Sequence, residues 1–257
     1  MLEKQISNIK QKIELSVFLA KAQLKIRNEG SVFGFFWYIL NPLALFLTIL
    51  FIKQSAFSNV DVAYYPLYLL IGLSTLSLVN RVVLISSEII KNNGTFIKAM
   101  KFSIDSLVYS SLLHLIFLYI FEIFLIFCLA IFYGLPAINF ILFLIYLILF
   151  TISLIGISFI ITTIGVYISD ITNVWNIVSQ ILLFITPIFY ELKPYTGLEV
   201  FNHYNPLYYF ITLARDTLIY GRVDMIVLVV TVAFSSVTLL IGNFVFNKYK
   251  IKFAELV

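Results

Sequence analysis

The fold is decided by the long apolar stretch at residues 105–170, which reads DSLVYSSLLHLIFLYIFEIFLIFCLAIFYGLPAINFILFLIYLILFTISLIGISFIITTIGVYISD. Between its two terminal aspartates, Glu122 is the only charged residue. A helix that crosses a bilayer needs about 20 apolar residues, so the stretch is too long for one span. Residues 133–136 (YGLP) divide it, because glycine and proline interrupt helices. The stretch therefore predicts two membrane-spanning helices, near 104–132 and 138–168.

Four further apolar stretches lie between charged residues elsewhere in the chain. They predict spans near 31–52, 64–86, 172–190 and 225–247, which brings the expected total to six. The composition agrees, since 61% of the residues are hydrophobic and 12% are charged, whereas a soluble domain has about 45–50% and about 25%. The single cysteine, Cys128, has no second cysteine in the chain with which to form a disulfide.

Basic residues are divided unequally between the two sides that six spans would create. Twelve lie on the side that holds the N-terminus, namely Lys4, Lys10, Lys12, Lys21, Lys25, Arg27, Lys91, Lys98, Lys101, Lys248, Lys250 and Lys252. Four lie on the opposite side, namely Lys53, Lys193, Arg215 and Arg222. Cytoplasmic segments of membrane proteins carry the excess of Lys and Arg. Both termini are therefore expected in the cytoplasm.

The first 28 residues are too charged to span a membrane. Apolar side chains recur there at spacings of three and four, at Leu2, Ile6, Ile9, Ile13, Val17, Ala20 and Leu24. The pattern predicts an amphipathic helix over residues 1–28 that lies on the inner leaflet. A short coiled coil or a helix packed on a partner remains the alternative. Residues 29–257 form the expected six-helix domain.

Two segments outside the spans have unusual compositions. The cytoplasmic loop 88–103 combines Lys91, Lys98 and Lys101 with Phe96 and Met100. This mixture suits either a membrane-surface segment or a docking surface for a soluble protein. The external segment 191–224 contains a short apolar stretch at Leu207–Ile219, which favours a re-entrant or interfacial helix. The chain has no internal repeat, so a pathway would lie between two copies rather than within one.

The sequence lacks the motifs of the common catalytic and nucleotide-binding sites. It contains no G-x-x-x-x-G-K-[ST] loop, no H-E-x-x-H pair and no G-x-S-x-G turn. Its two histidines, His114 and His203, are far apart, and no pair of carboxylates has a spacing typical of acid–base chemistry. We therefore predict no catalytic residues, no metal site and no cofactor bound by this chain, and a transport role rather than an enzymatic one.

Three ionisable residues, Arg81, His114 and Glu122, fall well inside predicted spans. Glu122 and His114 lie on one side of the third span, and Arg81 in the second span could neutralise Glu122. Ionisable residues inside a membrane are costly and frequently functional. The group is either a proton or ion relay or a buried pair that fixes helix packing, and we favour the packing role.

Aromatic and polar uncharged residues mark the first and fifth spans. The first opens with Phe33, Phe35, Phe36, Trp37 and Tyr38, which form either an interfacial belt or a stacking surface for sugar rings. Asn41, Asn80, Gln180 and Thr186 supply neutral polar groups within the spans. Proline follows both Asn41 and Thr186, and we expect it to bend or interrupt these two helices.

Several motifs occur in the order found in one family of transporters. They are GFFWYILNPL at 34–43, DI at 170–171, TPIFY at 186–190, NPL at 205–207 followed by Arg215, and FNKYKIKFAE at 246–255. Together they resemble the permeases of type-2 ABC exporters, in particular those of the O-antigen, capsule and teichoic-acid export group. The resemblance extends over nearly the whole chain.

The resemblance implies a homodimer that carries two copies of a separate cytoplasmic ABC ATPase, which would bind the ATP and Mg²⁺. It implies an all-α integral membrane fold of the bacterial cytoplasmic (inner) membrane. Residues 1–28 would be an interface helix, the loop 88–103 a coupling helix, and the segment 191–224 short external re-entrant helices. Lys91, Phe96, Lys98, Met100 and Lys101 would contact the ATPase.

The same resemblance implies that the chain exports a lipid-linked polysaccharide, as in lipopolysaccharide biosynthesis. The first and fifth spans would line the channel, with Phe36, Trp37, Tyr38, Trp175, Phe184 and Tyr190 in contact with glycan. Lys25 and Arg27 would attract the lipid pyrophosphate, or would simply anchor the chain at the inner surface. A permease for a small lipid or drug, a membrane glycan-processing enzyme and an ion-coupled carrier are the alternatives.

The sequence departs from the family pattern at two positions. Ser169 precedes the Asp170-Ile171 pair where family members commonly have arginine, which removes any role for that arginine. No proline follows the basic segment at Phe102-Ser103, so the end of the coupling helix is not marked.

Overall fold

A computed structural model describes residues 14–22, 37–56, 64–99, 104–192 and 197–253, and all regular elements in these ranges are helical. The helices are α1 (14–22), α2 (Trp37–Ala56), α3 (Tyr65–Asn92), α4 (Gly94–Ala99), α5 (Ile104–Phe132), α6 (Ala137–Tyr167), α7 (Ile171–Ile185), α8 (Gly197–His203), α9 (Pro206–Leu218) and α10 (Met225–Tyr249). A 3-10 turn at Lys250–Lys252 follows α10. The expected all-helical fold is confirmed for these residues.

Four of these helices are long and apolar enough to cross a bilayer: Tyr65–Asn92, Ile104–Phe132, Ala137–Tyr167 and Met225–Lys252. They match four of the six predicted spans. The other two predicted spans coincide with shorter apolar helices, Pro42–Lys53 within α2 and Ile171–Ile185. The structure therefore supports a helical membrane protein, and the count of six remains a prediction.

Local sequence signals place most helix boundaries. Gly134 adopts a positive φ of 69° in the turn that separates α5 from α6, as the YGLP sequence predicts. Asp224 accepts hydrogen bonds from the backbone N–H groups of Ile226 and Val227 at the start of α10. Asn205 does the same for Leu207 at the start of α9, where Pro206 occupies the first turn. Such caps satisfy N–H groups that have no partner within the helix.

Two predicted boundaries differ from the structure. α3 continues to Asn92 rather than ending near residue 86, because Ile89 and Ile90 pack into the core and hold its last turns. Part of the loop 88–103 is therefore helix α3, and α4 is a separate short helix. α7 ends at Ile185, since Pro187 disfavours a helical conformation at Thr186. By contrast, α2 is helical on both sides of Pro42, so that proline does not interrupt it.

The closest packing in the bundle joins α6 to α10 and α3. A Cβ added at Gly156 of α6 would lie 2.3 Å from the backbone carbon of Thr238 in α10, and one at Gly242 would lie 2.4 Å from the Gly156 carbonyl oxygen. Glycines permit this contact between backbones, as is common in membrane helix pairs. α3 lies at the centre, in contact with α5, α6, α7 and α9, while α2 and α7 keep exposed faces.

Candidate functional site

A cleft with mixed polar and apolar walls lies between α2, α3 and α7. Its volume is about 470 Å³. The polar groups come from all three helices and are Thr48, Ser77, Asn80, Ser179 and Gln180. Pro42, Ala44 and leucines from the same helices complete the walls. The cleft thus brings neutral hydrogen-bonding groups from three helices together beside apolar side chains.

A second cavity of about 420 Å³ adjoins the first toward the end of α7. Both are lined by Leu45, Thr48 and Leu183. The remaining lining of the second cavity is mostly apolar and consists of Ile49, Ile52, Lys53, Tyr65, Phe184, Phe189 and Tyr190. The Lys53 ammonium lies 3.6 Å from the centre of the Tyr65 ring, a cation–π contact that places a positive charge beside the apolar walls.

The chain after α7 is held by a buried arginine from α9. Arg215 is 5% exposed. Its guanidinium donates hydrogen bonds to the carbonyl oxygens of Pro187 at 2.7 Å, Ile188 at 2.8 Å and Tyr68 at 3.1 Å. It also stacks 3.3 Å from the centre of the Tyr68 ring. Burial lowers the pKa of Arg215 to about 10, so the group stays protonated at neutral pH.

The arginine has a structural reason to be there. Because α7 stops at Ile185, the carbonyl groups that follow lack helical partners and need donors. A guanidinium supplies five N–H donors in a planar fork, enough to serve several carbonyls at once. Gly72 of α3 makes room for it, since a Cβ at that position would lie 2.8 Å from Nη2 of Arg215.

Other polar side chains hold the same segment from neighbouring helices. Tyr65 Oη donates to the Phe189 carbonyl at 3.0 Å, and Tyr68 Oη donates to the Tyr190 carbonyl at 3.1 Å. Asn202 of α8 donates to the Ile185 carbonyl, and Asn205 donates to the Thr186 hydroxyl, both at 2.9 Å. Residues 186–190 form a cluster with these four side chains and with Arg215, and we call this cluster the clamp. It fixes the end of α7 against α3, α8 and α9.

At the opposite end, α7 is tied to α3 close to α4. Thr172 in the first turn of α7 lies 3.1 Å from the Ser87 hydroxyl and 3.4 Å from a carboxylate oxygen of Glu88. The same carboxylate accepts from the Asn92 amide at 3.4 Å. α4 begins two residues later, at Gly94. A displacement of α4 would therefore reach the start of α7 through only a few residues of α3.

The predicted ATPase-contact residues lie around α4. Lys91 lies in the last turn of α3 and Lys98 in the last turn of α4, and both are exposed. Phe96 belongs to α4, but its side chain is outside the described part, as are Met100 and Lys101. The exposure of the two lysines leaves them available to a partner.

Two of the three ionisable residues predicted within the spans pair with each other. Arg81 of α3 and Glu122 of α5 make an ion pair, with side chains 15% and 4% exposed. His114, two turns earlier in α5, is also buried. Nearby, a chain of hydroxyl groups joins Tyr119 to Tyr146 at 3.0 Å and Tyr146 to Thr75 at 2.9 Å. Within the described residues, no group of His, Cys, Asp or Glu is placed to hold a metal ion.

The residues predicted to contact glycan lie in different parts of the structure, and some lie outside the described residues. Trp37 is 58% exposed at the start of α2, while Phe36 and the Tyr38 side chain lie outside the described part. Phe184 and Tyr190 line the apolar cavity. Trp175 is half-buried, and its indole N–H donates to Asn80 at 2.8 Å. Lys25 and Arg27, the predicted pyrophosphate contacts, also lie outside the described residues.

Sequence reasoning did not identify the clamp. In the sequence, Arg215 is one of four basic residues expected on the side opposite the termini, and it follows the NPL motif. The signal was present, since an arginine within the short apolar helix 207–219 requires buried partners. The partners themselves are far away along the chain, at Tyr68 and Pro187.

Comparison with known proteins adds independent evidence. The sequence pattern of a family described as ABC-2 type transporter matches residues 15–219. Two curated relatives from Klebsiella pneumoniae are both named O-antigen export system permease protein RfbA. One is 26% identical over 257 residues and the other 24%, and in each case 95% of this chain and 95% of the relative are covered.

Proposed function

Because the chain belongs to the ABC-2 type transporter family, we propose that it is the permease subunit of an ATP-driven exporter of lipid-linked polysaccharide. The expectation of a permease rather than an enzyme is confirmed by the family match and by relatives that are transport permeases. The proposed substrate rests on the similarity, over 95% of the chain, to two O-antigen export permeases.

The proposed arrangement has six spans in the bacterial cytoplasmic membrane and both termini in the cytoplasm. The four long apolar helices supply four spans, and α2 and α7 supply the other two. The bias of Lys and Arg toward one side supports this orientation. α4 and the cytoplasmic end of α3 then face the cytoplasm, and the clamp lies near the outer surface.

The energy source is proposed to be a separate ATPase. The sequence has no phosphate-binding loop of the G-x-x-x-x-G-K-[ST] type, so ATP and Mg²⁺ would be bound by the partner chain. Two copies of the permease with two ATPases would form the working exporter. The exposed Lys91 and Lys98 at the ends of α3 and α4 are the proposed contacts of the ATPase.

The proposed mechanism depends on the different contacts that hold the two ends of α7. ATP-driven closure of the ATPases would displace α4, and the contacts among Ser87, Glu88 and Thr172 would carry the displacement to the cytoplasmic end of α7. The clamp would hold the other end against α3 and α9. α7 would then tilt about its outer end and widen the space beside α2, through which the polysaccharide crosses.

Reconstitution in cells tests this function. The chain is expressed with its partner ATPase in bacteria that make a lipid-linked glycan but lack its export permease. Glycan at the surface is measured with an antibody on intact cells, and total glycan on permeabilised cells. We expect surface glycan only when both proteins are present and the ATPase hydrolyses ATP.

An uncoupler treatment of the same cells and two assays with the purified protein separate the alternatives. Export that stops with a proton uncoupler while ATP is maintained would indicate an ion-coupled carrier. Glycan modification by the purified chain alone would indicate an enzyme. Absence of surface glycan together with ATP-dependent movement of a labelled phospholipid in liposomes would indicate a lipid permease, and each of these results would contradict the proposed function.

A further inference from the structure

The exposed surface of α7 is divided lengthwise into a polar and an apolar part. Asn173, Asn176 and Gln180 are all exposed and recur at spacings of three and four. At 100° per residue they lie within about 60° of arc on the helix. We call these three residues the amide edge. Val174, Ile177 and Ile181 are also exposed, occupy the adjacent arc, and are called the aliphatic edge.

The amide edge has free hydrogen-bonding capacity. Within the residues that the structure describes, none of the three side-chain amides takes part in a hydrogen bond. Each primary amide offers two N–H donors and a carbonyl acceptor. Such groups are unfavourable against lipid tails, which cannot hydrogen bond. The amide edge must therefore face water, a polar ligand or another protein chain.

The cleft beside the amide edge indicates that the edge faces a polar ligand rather than another protein chain. Gln180 belongs both to the amide edge and to the walls of the 470 Å³ cleft. There it is joined by Ser179 on the same helix and by Ser77 and Asn80 on α3. The Asn80 carbonyl oxygen accepts from the Trp175 indole, which fixes the orientation of the Asn80 amide. The polar surface thus continues from α7 into an open space large enough for a ligand.

We propose that the amide edge and the polar wall of this cleft form the surface along which a hydroxyl-rich carbohydrate chain moves. This inference rests on the proposed function and names the residues that contact the substrate. Neutral amides both donate to and accept from hydroxyl groups, so they serve sugars of different configuration. Since water makes equivalent hydrogen bonds, each contact is weak in net terms and permits movement.

Two other occupants fit the observations less well. A lipid phosphate would require positive charge, and the amide edge and the cleft walls have none. A second copy of this chain would suit the aliphatic edge, whose side chains provide apolar contact without polar groups to satisfy. The amide edge of α7 would then contact carbohydrate, and the aliphatic edge would make apolar contacts with the second copy.

Substitution of the amide edge tests the proposal. We compare two double variants of the amide edge. Asn176→Leu with Gln180→Met removes two of the three amides and is called the amide-depleted variant, whereas Asn176→Gln with Gln180→Asn exchanges the same two amides. The control Ile177→Leu with Ile181→Leu alters the aliphatic edge by the same number of residues. Surface glycan per permease is measured in cells that contain the partner ATPase, together with membrane abundance, ATPase co-purification and cross-linking between copies.

We expect the amide-depleted variant to lose at least tenfold in export rate at unchanged abundance, co-purification and cross-linking. The exchanged variant should stay within about threefold of the wild type, and so should the aliphatic control. Unchanged export by the amide-depleted variant would overturn the proposal. Loss of cross-linking in that variant would also overturn it, because the amide edge would then hold two copies together.

A second measurement does not depend on export by the variant. In a Cys128→Ala background, Gln180→Cys and Ile181→Cys are compared for reaction with a membrane-impermeant thiol reagent. We expect at least tenfold faster labelling at position 180, and slower labelling when glycan is being exported. Equal rates would exclude an aqueous pathway along the amide edge. If the wild-type chain exports no glycan, the proposed function itself fails, whichever rates are found.

Discussion

Removal of the Arg215 guanidinium should destabilise the protein more than removal of the Arg222 guanidinium on the same segment. Arg215→Met keeps most of the side-chain volume but leaves the carbonyl groups of Tyr68, Pro187 and Ile188 without this donor. Each buried acceptor that loses its partner costs about 1–3 kcal/mol, and the lost cation–π contact costs about 0.5–2 kcal/mol. The desolvation cost of the buried cation is relieved at the same time.

The net destabilisation that we expect is about 3 kcal/mol. For a protein of this size each kcal/mol lowers Tm by about 2–4 °C, so the loss corresponds to roughly 6–12 °C. The temperature at which the detergent-solubilised protein loses its monodisperse elution peak measures this change. Arg215→Lys, which retains the charge without the planar fork, should give an intermediate value.

Arg222→Met is the matched control. Arg222 pairs with Asp216 on the same segment, and the two side chains are 69% and 6% exposed. Because water reaches the arginine of this pair, its loss should cost about 1 kcal/mol and lower Tm by no more than roughly 4 °C. Equal melting temperatures for Arg215→Met and Arg222→Met would refute the account of the clamp, because they would show that the buried hydrogen bonds contribute nothing beyond a partly exposed pair.

Three further predictions concern other parts of the structure. Gly156→Val should separate α6 from α10 and abolish stable expression, whereas Gly197→Ala, which meets no atom within 4 Å, should be neutral by the same elution assay. Glu122→Leu should destabilise by about 3–5 kcal/mol because Arg81 is left without its partner, and the double change with Arg81→Leu should restore most of the stability. Lys98→Glu should lower co-purification of the partner ATPase severalfold at unchanged membrane abundance.

Each of these expectations has a contrary result. Normal elution of Gly156→Val would show that the backbone contact between α6 and α10 is not required. A double change at Arg81 and Glu122 that stays stable but loses export would favour a relay rather than packing. Unaltered co-purification by Lys98→Glu would exclude α4 as a docking site.

The apolar helices could be predicted because membrane spans depend on local composition. The turn at Gly134 and the end of α7 before Pro187 follow from single residues whose backbone preferences are strong. The end of α3 was placed too early, since the charges at Glu88 and Lys91 obscure the buried Ile89 and Ile90 beside them. Stretches without charged residues identify the apolar part of a helix but not its full length.

The sites were harder to predict because their residues are distant in sequence. Arg215 meets Tyr68 across 147 positions, and nothing local to either residue indicates the contact. The amide edge, in contrast, is visible in the sequence, because Asn173, Asn176 and Gln180 recur at spacings of three and four within an apolar stretch.

The close contact between α6 and α10 at Gly156 and Gly242 fixes the distance between these two helices. Since Gly156 and Gly242 bring the two backbones together with no layer of side chains between them, neither helix can slide along the other without a collision. Spin labels attached to the outward sides of this pair should report one constant separation throughout the ATP cycle. Distances from either label to α7 can then be assigned wholly to displacement of α7.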